Sequence, residues 1–324
     1  MKFPQVRLRR LRDNPRLRQM LGEHTLLKKE LVQPLFIKEG LSRPVEIASM
    51  PGQFQWSVAG FLEEAKKLEA LGVPAVLLFG VPAKKDLKGL QAFAKKGVIQ
   101  KAVQAVKKKC PRLVIITDVC LCEYLSHGHC GLIKKYKVQN DSTLDVLAKI
   151  ALSHAMAGAD CVAPSDMMDG RVRAIRQILD RHGFEHLPVI SYAVKYASGF
   201  YAPFREAAEN TPGFGDRASY QMDPANVREA LREAATDLEE GADILLVKPA
   251  LAYGDVIYQI REKFACVVGS YSVSGEYAMI KAASQKGWID ERRVVLETHL
   301  ALKRAGSSLI VTYWAKDIAR WEKM

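Results

Sequence analysis

The sequence predicts an α/β chain folded as a (β/α)8 TIM barrel with an extended N-terminal arm. Three observations predict it. Eight short runs rich in Val, Ile and Leu, without strict alternation, read as strands buried on both faces. Stretches of helical periodicity separate most of them. The phrases EALGVPAV, AMAGADCV, EEGADILL and KRAGSSLI repeat one pattern of helix end, small residue and strand start.

In chain order, residues 1–30 come first and carry no strand pattern. Arg7, Arg9, Arg10, Arg12, Arg16 and Arg18 crowd the first eighteen, opposed there only by Asp13. We expect an arm that packs outside the barrel, on another subunit. The strand runs follow: LVQPLFI at 31, AVLLFG at 75, LVIITDV at 113, DCVAPS at 160, PVISYAV at 188, DILLVKP at 243, CVVGSYS at 266 and SLIVTYW at 308. Helices are expected from Val58, over Thr143 to Ala157, from Asp169, and over Pro224 to Gly241, where Asp223 and Pro224 form an N-cap and N1 pair. Gly72, Gly158, Gly183, Gly241 and Gly306 stand where helices stop. These elements fill 31–324 as one barrel, a span near the usual ~250 residues of the fold. An open doubly wound sheet is the alternative, but GxGxxG and GxxxxGK[ST] are both absent.

Composition narrows the function. The 324 residues are 48% hydrophobic and 26% charged, a globular balance that excludes disordered, collagen-like and coiled-coil chains. No run approaches the roughly 18 apolar residues of a membrane span, and MKFPQVRLRR has no apolar segment behind its charges. A soluble, unexported, cytoplasmic protein without a membrane partner is expected. The net charge of +12 attracts anions only non-specifically. With no RNA-binding aromatic motif, Cys/His finger or helix-turn-helix pattern, no nucleic-acid partner is expected either.

In such a barrel the active site lies at the C-terminal ends of the strands. Asp118, Ser165, Lys195, Lys248, Ser274 and Tyr313 fall there. Lys248 ends LLVKP and Lys195 follows VISYAV, so both emerge from apolar strands. Desolvation, or a second cation nearby, lowers a lysine's pKa and makes it a nucleophilic amine; two facing lysines should depress each other. A lone strand-end lysine more often snorkels to solvent or binds a phosphate. Two on separate strands weigh against that.

The segment DVCLCEYLSHGHCG places Cys120 and Cys122 two apart, with Cys130 after a turn at Gly128. In extended chain, positions i and i+2 point the same way, so both thiolates can face one ion. Three protein ligands leave an open position, the arrangement of a catalytic zinc; His127 and His129 are alternative or supporting ligands. The competing reading is three small buried hydrophobes. Cys110, Cys161 and Cys266 lie on or beside core elements and are assigned to packing. Free thiols of this kind fit a reducing compartment.

A long segment, YASGFYAPFREAAENTPGFGDRASYQ, follows the fifth strand. Loops of this length act as lids or binding loops. Its Arg205 and Arg217 suit a bidentate grip on a carboxylate. Amine nucleophiles, an open metal position and carboxylate receptors together describe an imine-forming enzyme for a keto acid.

At these residues the chain resembles the porphobilinogen synthase (5-aminolevulinate dehydratase) family of the zinc-cysteine type. The match runs through RLRRLR, LVQPLFI, TDVCLCEYLSHGHCG, PSDMMDGRV, FYAPFREA, GDRASYQM, LLVKPA, VSGEYAMI and KRAGSSLIVTYWA, nearly the whole chain. The resemblance implies a barrel with an arm that embraces a neighbour, usually in homo-octamers. It implies a hydro-lyase that condenses two 5-aminolevulinate molecules to porphobilinogen, releasing two waters, in tetrapyrrole (heme) synthesis.

The resemblance further implies that Lys248 forms a Schiff base with the first, P-side substrate and Lys195 with the second, A-side one. Cys120, Cys122 and Cys130 would hold a catalytic zinc. Arg205, Arg217 and Gln221 would hold the A-side carboxylate, Ser274 and Tyr313 the P-side one, with Asp118 and Ser165 lining the site. Glu233 matches a glutamate that supports an allosteric magnesium in some members. Ala218 departs from a lysine common in relatives. A class I aldolase of other specificity is the alternative, for which one lysine would suffice and the thiol cluster would be unexplained.

Overall fold

The computed structural model describes residues 2–322. Of the expected arm and barrel, Met1 and residues 323–324 lie outside the described residues. All eight expected strands form: β1 Leu31–Lys38, β2 Ala75–Val81, β3 Val114–Val119, β4 Cys161–Pro164, β5 Ile190–Lys195, β6 Ile244–Lys248, β7 Val267–Ser272 and β8 Leu309–Thr312. They pair in parallel in the order β4-β3-β2-β1-β8-β7-β6-β5. A parallel bridge between Val162 and Val189 closes β4 onto β5. The result is a (β/α)8 barrel whose strands are buried almost throughout, which explains their unbroken apolar runs.

The main outer helices are α1 Val58–Leu71, α2 Val98–Lys109, α3 Asn140–Ala157 and α4 Arg171–Arg181, then α6 Arg228–Glu239, α7 Gly254–Lys263, α8 Ser274–Gln285, α9 Glu291–Ala305 and α10 Ala315–Trp321. The short α5, Ala202–Ala207, lies in the long segment after β5. Helix α1 starts where the Ser57 hydroxyl accepts the Gly60 N–H at 3.1 Å. It ends at Gly72, whose φ of 84° few other residues adopt at low cost.

Two expectations need correction. Helix α6 begins at Arg228, not at Pro224. The Asp223 carboxylate accepts the Ala225 N–H at 2.8 Å and its carbonyl accepts the Asn226 N–H, so the Asp-Pro pair builds a turn ahead of the helix. The segment after β5 is not irregular throughout, because Gly199–Tyr201 and α5 are helical.

In the arm, Leu8–Leu11 and Pro15–Met20 form short helical turns, the second capped by Asn14. No residue from 2 to 30 is buried, and Phe3, Leu8, Leu11 and Met20 expose large apolar side chains. Among the described residues no helix is long and apolar enough to cross a membrane.

Candidate active site

Lys195 and Lys248 end β5 and β6 and are register partners, so the barrel sets them side by side. Each is only 4% exposed. The Lys248 ammonium lies 4.5 Å from the ring centre of Tyr271, 4.7 Å from Phe204 and 5.3 Å from both Tyr192 and Tyr201. Burial in this aromatic box, with the charge of Lys195 beside it, pulls the Lys248 pKa down to about 7.

Lys195 donates to the Ser165 carbonyl and lies 5.8 Å from the Tyr192 ring centre. Burial lowers its pKa, but the facing Cys130, Cys120 and Cys122 outweigh burial and hold it above the usual lysine value. The expected depression therefore appears as a net lowering only at Lys248, because at Lys195 the pull of the three thiols outweighs it.

Cys120, Cys122 and Cys130 converge, with their sulfurs all within 4.8 Å of one another and fully buried. Cys120 and Cys122 Sγ are 3.3 Å apart. Burial pushes the Cys120 and Cys122 thiols up, while hydrogen bonds from those two thiols pull Cys130 down. Three sulfurs at such spacing, free of disulfides, fit a divalent cation of zinc's softness. Asp118, Cys120 and Glu123 also have ligand atoms within 4.8 Å of one another.

The two histidines stay outside this cluster. His129 is engaged by the Tyr220 hydroxyl at 3.1 Å and the Phe214 carbonyl at 3.0 Å, and His127 accepts the His129 N–H. As anticipated, Cys110 packs in the core; Cys161 and Cys266 pack against it half-buried.

Asp118 is buried with one carboxylate oxygen unpartnered, and desolvation next to Glu123 drives its pKa well up. Arg205, Arg217 and Gln221 line one cavity of about 410 Å³. Arg205 Nε, Arg217 Nε and Gln221 Nε2 are all buried donors without an acceptor. Such donors mark a place for an anion. Arg217 also touches the lysine and thiol pocket, where it lines a small cleft with Cys122, Ser165, Lys195 and Lys248.

Ser274 and Tyr313 lie one contact from Lys248, and both hydroxyls are engaged. Ser274 accepts the Phe204 N–H at 3.0 Å and donates to the Phe200 carbonyl at 3.3 Å. Tyr313 and Tyr271 share a hydrogen bond of 3.1 Å. Gly275 permits this docking of the loop, since a Cβ there would sit 2.5 Å from the Phe200 carbonyl oxygen.

Glu233, on α6, lines an outer cavity of about 750 Å³ with Asp169 and Glu229 that also reaches Gln221. Burial, against the pull of Arg171, raises its carboxyl to about 7.

The aromatic box, Glu123 and Asn210 were missed by sequence reasoning. Tyr201 and Phe204 carried a usable signal, three residues apart in the expected lid. Tyr192 and Tyr271 carried none, being inward positions of apolar strands.

The family model for delta-aminolevulinic acid dehydratase matches residues 5–321. A protein of that name from Synechocystis sp. is 53% identical over 323 residues, covering 98% of this chain and 99% of the relative. One from Bacillus subtilis is 50% identical over 315 residues, covering 97% of each. The crystal structure of delta-aminolevulinic acid dehydratase (porphobilinogen synthase) from Toxoplasma gondii ME49, in complex with the reaction product porphobilinogen, superposes with a TM-score of 0.97 at 43% identity, covering 99% of this chain and 93% of that one. With the expected barrel and the paired lysines in place, the chain belongs to the delta-aminolevulinic acid dehydratase family.

Proposed function

We propose that Lys248 and Lys195 carry the reaction of this chain, the condensation of two 5-aminolevulinate molecules to porphobilinogen with loss of two waters. The observation that carries this reading is the Lys248 amine, buried beside a second lysine and lowered to about 7. At neutral pH a large fraction is unprotonated and able to attack a ketone. Attack forms a carbinolamine, which loses water to leave an imine on Lys248. Lys195 does the same for the second substrate.

The three thiols support zinc as the metal, with Cys120, Cys122 and Cys130 as its ligands. Bound there, the metal would supply positive charge that offsets the thiolates and Lewis acidity beside Lys195. Asp118, with its raised pKa and unpartnered oxygen, holds or accepts a proton beside both lysines. The orphan donors of Arg205, Arg217 and Gln221 hold the A-side carboxylate. Ser274 and Tyr313 receive the P-side carboxylate by exchanging their present hydrogen bonds for it, and Ser165 lines the site.

We assign an allosteric magnesium to the outer cavity at Glu233. Asp169 and Glu229 line the same cavity, and an ion that keeps much of its water needs few protein oxygens. The exposed apolar residues of arm 1–30 support packing against another copy of the chain in a homo-octamer, with 31–324 as the catalytic barrel. The cytoplasm fits a chain with free buried thiols.

The test is direct. Purified protein with zinc should convert 5-aminolevulinate to a pyrrole detected by its colour reaction, and absence of the pyrrole with zinc and magnesium both supplied would overturn the reading.

A further inference from the structure

We infer that Asn210 is a positioning residue that ties the thiol cluster to the arginine-bearing loop. The inference rests on reading the three thiols as metal ligands. Asn210 is fully buried. Its carboxamide nitrogen lies 3.1 Å from Cys122 Sγ and 3.0 Å from Glu123 Oε1, so both amide hydrogens are committed. The Glu123 carboxylate can only accept, which fixes the orientation of the amide. Oδ1 has no partner, so the side chain is held by its donor end alone.

The backbone of the same residue serves the loop. Its carbonyl accepts Arg217 Nη2 at 2.7 Å, and that nitrogen also donates to the Gly128 carbonyl at 2.8 Å. A Cβ on Gly128 would stand 2.5 Å from the Thr211 carbonyl oxygen and 3.0 Å from that of Asn210, so loop and thiol segment meet backbone to backbone. On its other side the loop is fixed at Glu209, which adopts φ 52° and pairs with Lys38.

A metal-bound thiolate is only an acceptor. A primary amide can donate to that sulfur and to Glu123 at once, which neither a carboxylate nor a single hydroxyl can do. Because this amide belongs to the residue whose carbonyl holds Arg217, the metal site and the A-side clamp share one element. Binding at either should favour the other by the same factor.

The experiment uses the full chain and Zn2+, titrated in competition with a chromophoric chelator. Co2+ substitution and amide hydrogen exchange over 205–221 are read alongside. For Asn210→Ala and Asn210→Asp we expect zinc affinity to fall by about tenfold or more. The thiolate-to-cobalt charge-transfer band should shift, and zinc should no longer protect 205–221 from exchange. If Asn210→Ala does not fold, Asn210→Ser, which keeps one donor, takes its place in the same comparison. Variants that bind zinc as the parent does, with an unshifted band, would overturn the inference while leaving the thiol ligands intact. A parent chain that binds no stoichiometric zinc would overturn the thiol reading itself.

Discussion

The proton affinities of Lys195 and Lys248 move in opposite directions, up at Lys195 and down at Lys248. Register pairs the two lysines, yet the thiols of Cys120, Cys122 and Cys130 face Lys195 and hold its proton, while aromatic rings surround Lys248. On the proposed reading Lys248 is the readier nucleophile at neutral pH, and a cation held by the thiols would release Lys195 from their pull.

A lysine whose folded pKa is lowered binds fewer protons folded than unfolded between about 7 and the usual lysine value near 10.4. Its cost to stability is complete below pH 7 and vanishes as pH rises towards 10.4. Lys248→Met should therefore abolish product formation yet stabilise the protein by about 1–3 kcal/mol at pH 6.5. Urea unfolding at pH 6.5 and pH 9.5 checks this; a gain that grows with pH would contradict it.

Zinc must displace protons from thiols that burial has raised, so its affinity should climb with pH. Cys122→Ala should lose zinc-dependent activity by a factor of about a hundred or more while its thermal midpoint in the zinc-free state stays close to that of the parent. Zinc titrations at pH 6 and 8, with a melting curve for the variant, test both halves.

Arg217 both faces the proposed carboxylate cavity and holds two backbone carbonyls, so Arg217→Ala should raise the A-side substrate requirement by about 2–5 kcal/mol. Borohydride trapping on Lys248 should survive, because Ser274 and Tyr313 are the proposed contacts of that substrate. Single-turnover labelling with isotopic 5-aminolevulinate would show equal loss from both lysines if the loop served both substrates.

Away from the site, Arg171 on α4 is buried against Asp237 of α6 at 2.9 Å and donates to Ser191 and the Tyr192 carbonyl on β5. Arg171→Met leaves Asp237 buried and uncompensated and should cost about 3–5 kcal/mol. Denaturant unfolding measures it, and a change below about 1 kcal/mol would show that the carboxylate finds another partner.

The strands were legible because burial on both faces writes itself as unbroken Val, Ile and Leu, and the lysines because a charge ending such a run is costly. The cysteine cluster was legible from spacing alone. The aromatic box was not, since Tyr192 and Tyr271 look like ordinary core until the barrel closes them around Lys248. Nor was Asn210, whose partners Cys122 and Glu123 lie 88 and 87 residues away. The start of α6 was misread because Asp223 and Pro224 serve a turn as well as they would serve a helix.

The central claim, that Lys248 and Lys195 are the two imine-forming amines, is met most directly by peptide mapping after borohydride reduction in the presence of 5-aminolevulinate. Inactivation is expected with a reduced adduct on Lys248, whose trapping rises with pH to a plateau above about 7, and a second adduct on Lys195 when substrate is in excess. Adducts found only on other lysines, or full activity after reduction, would contradict it.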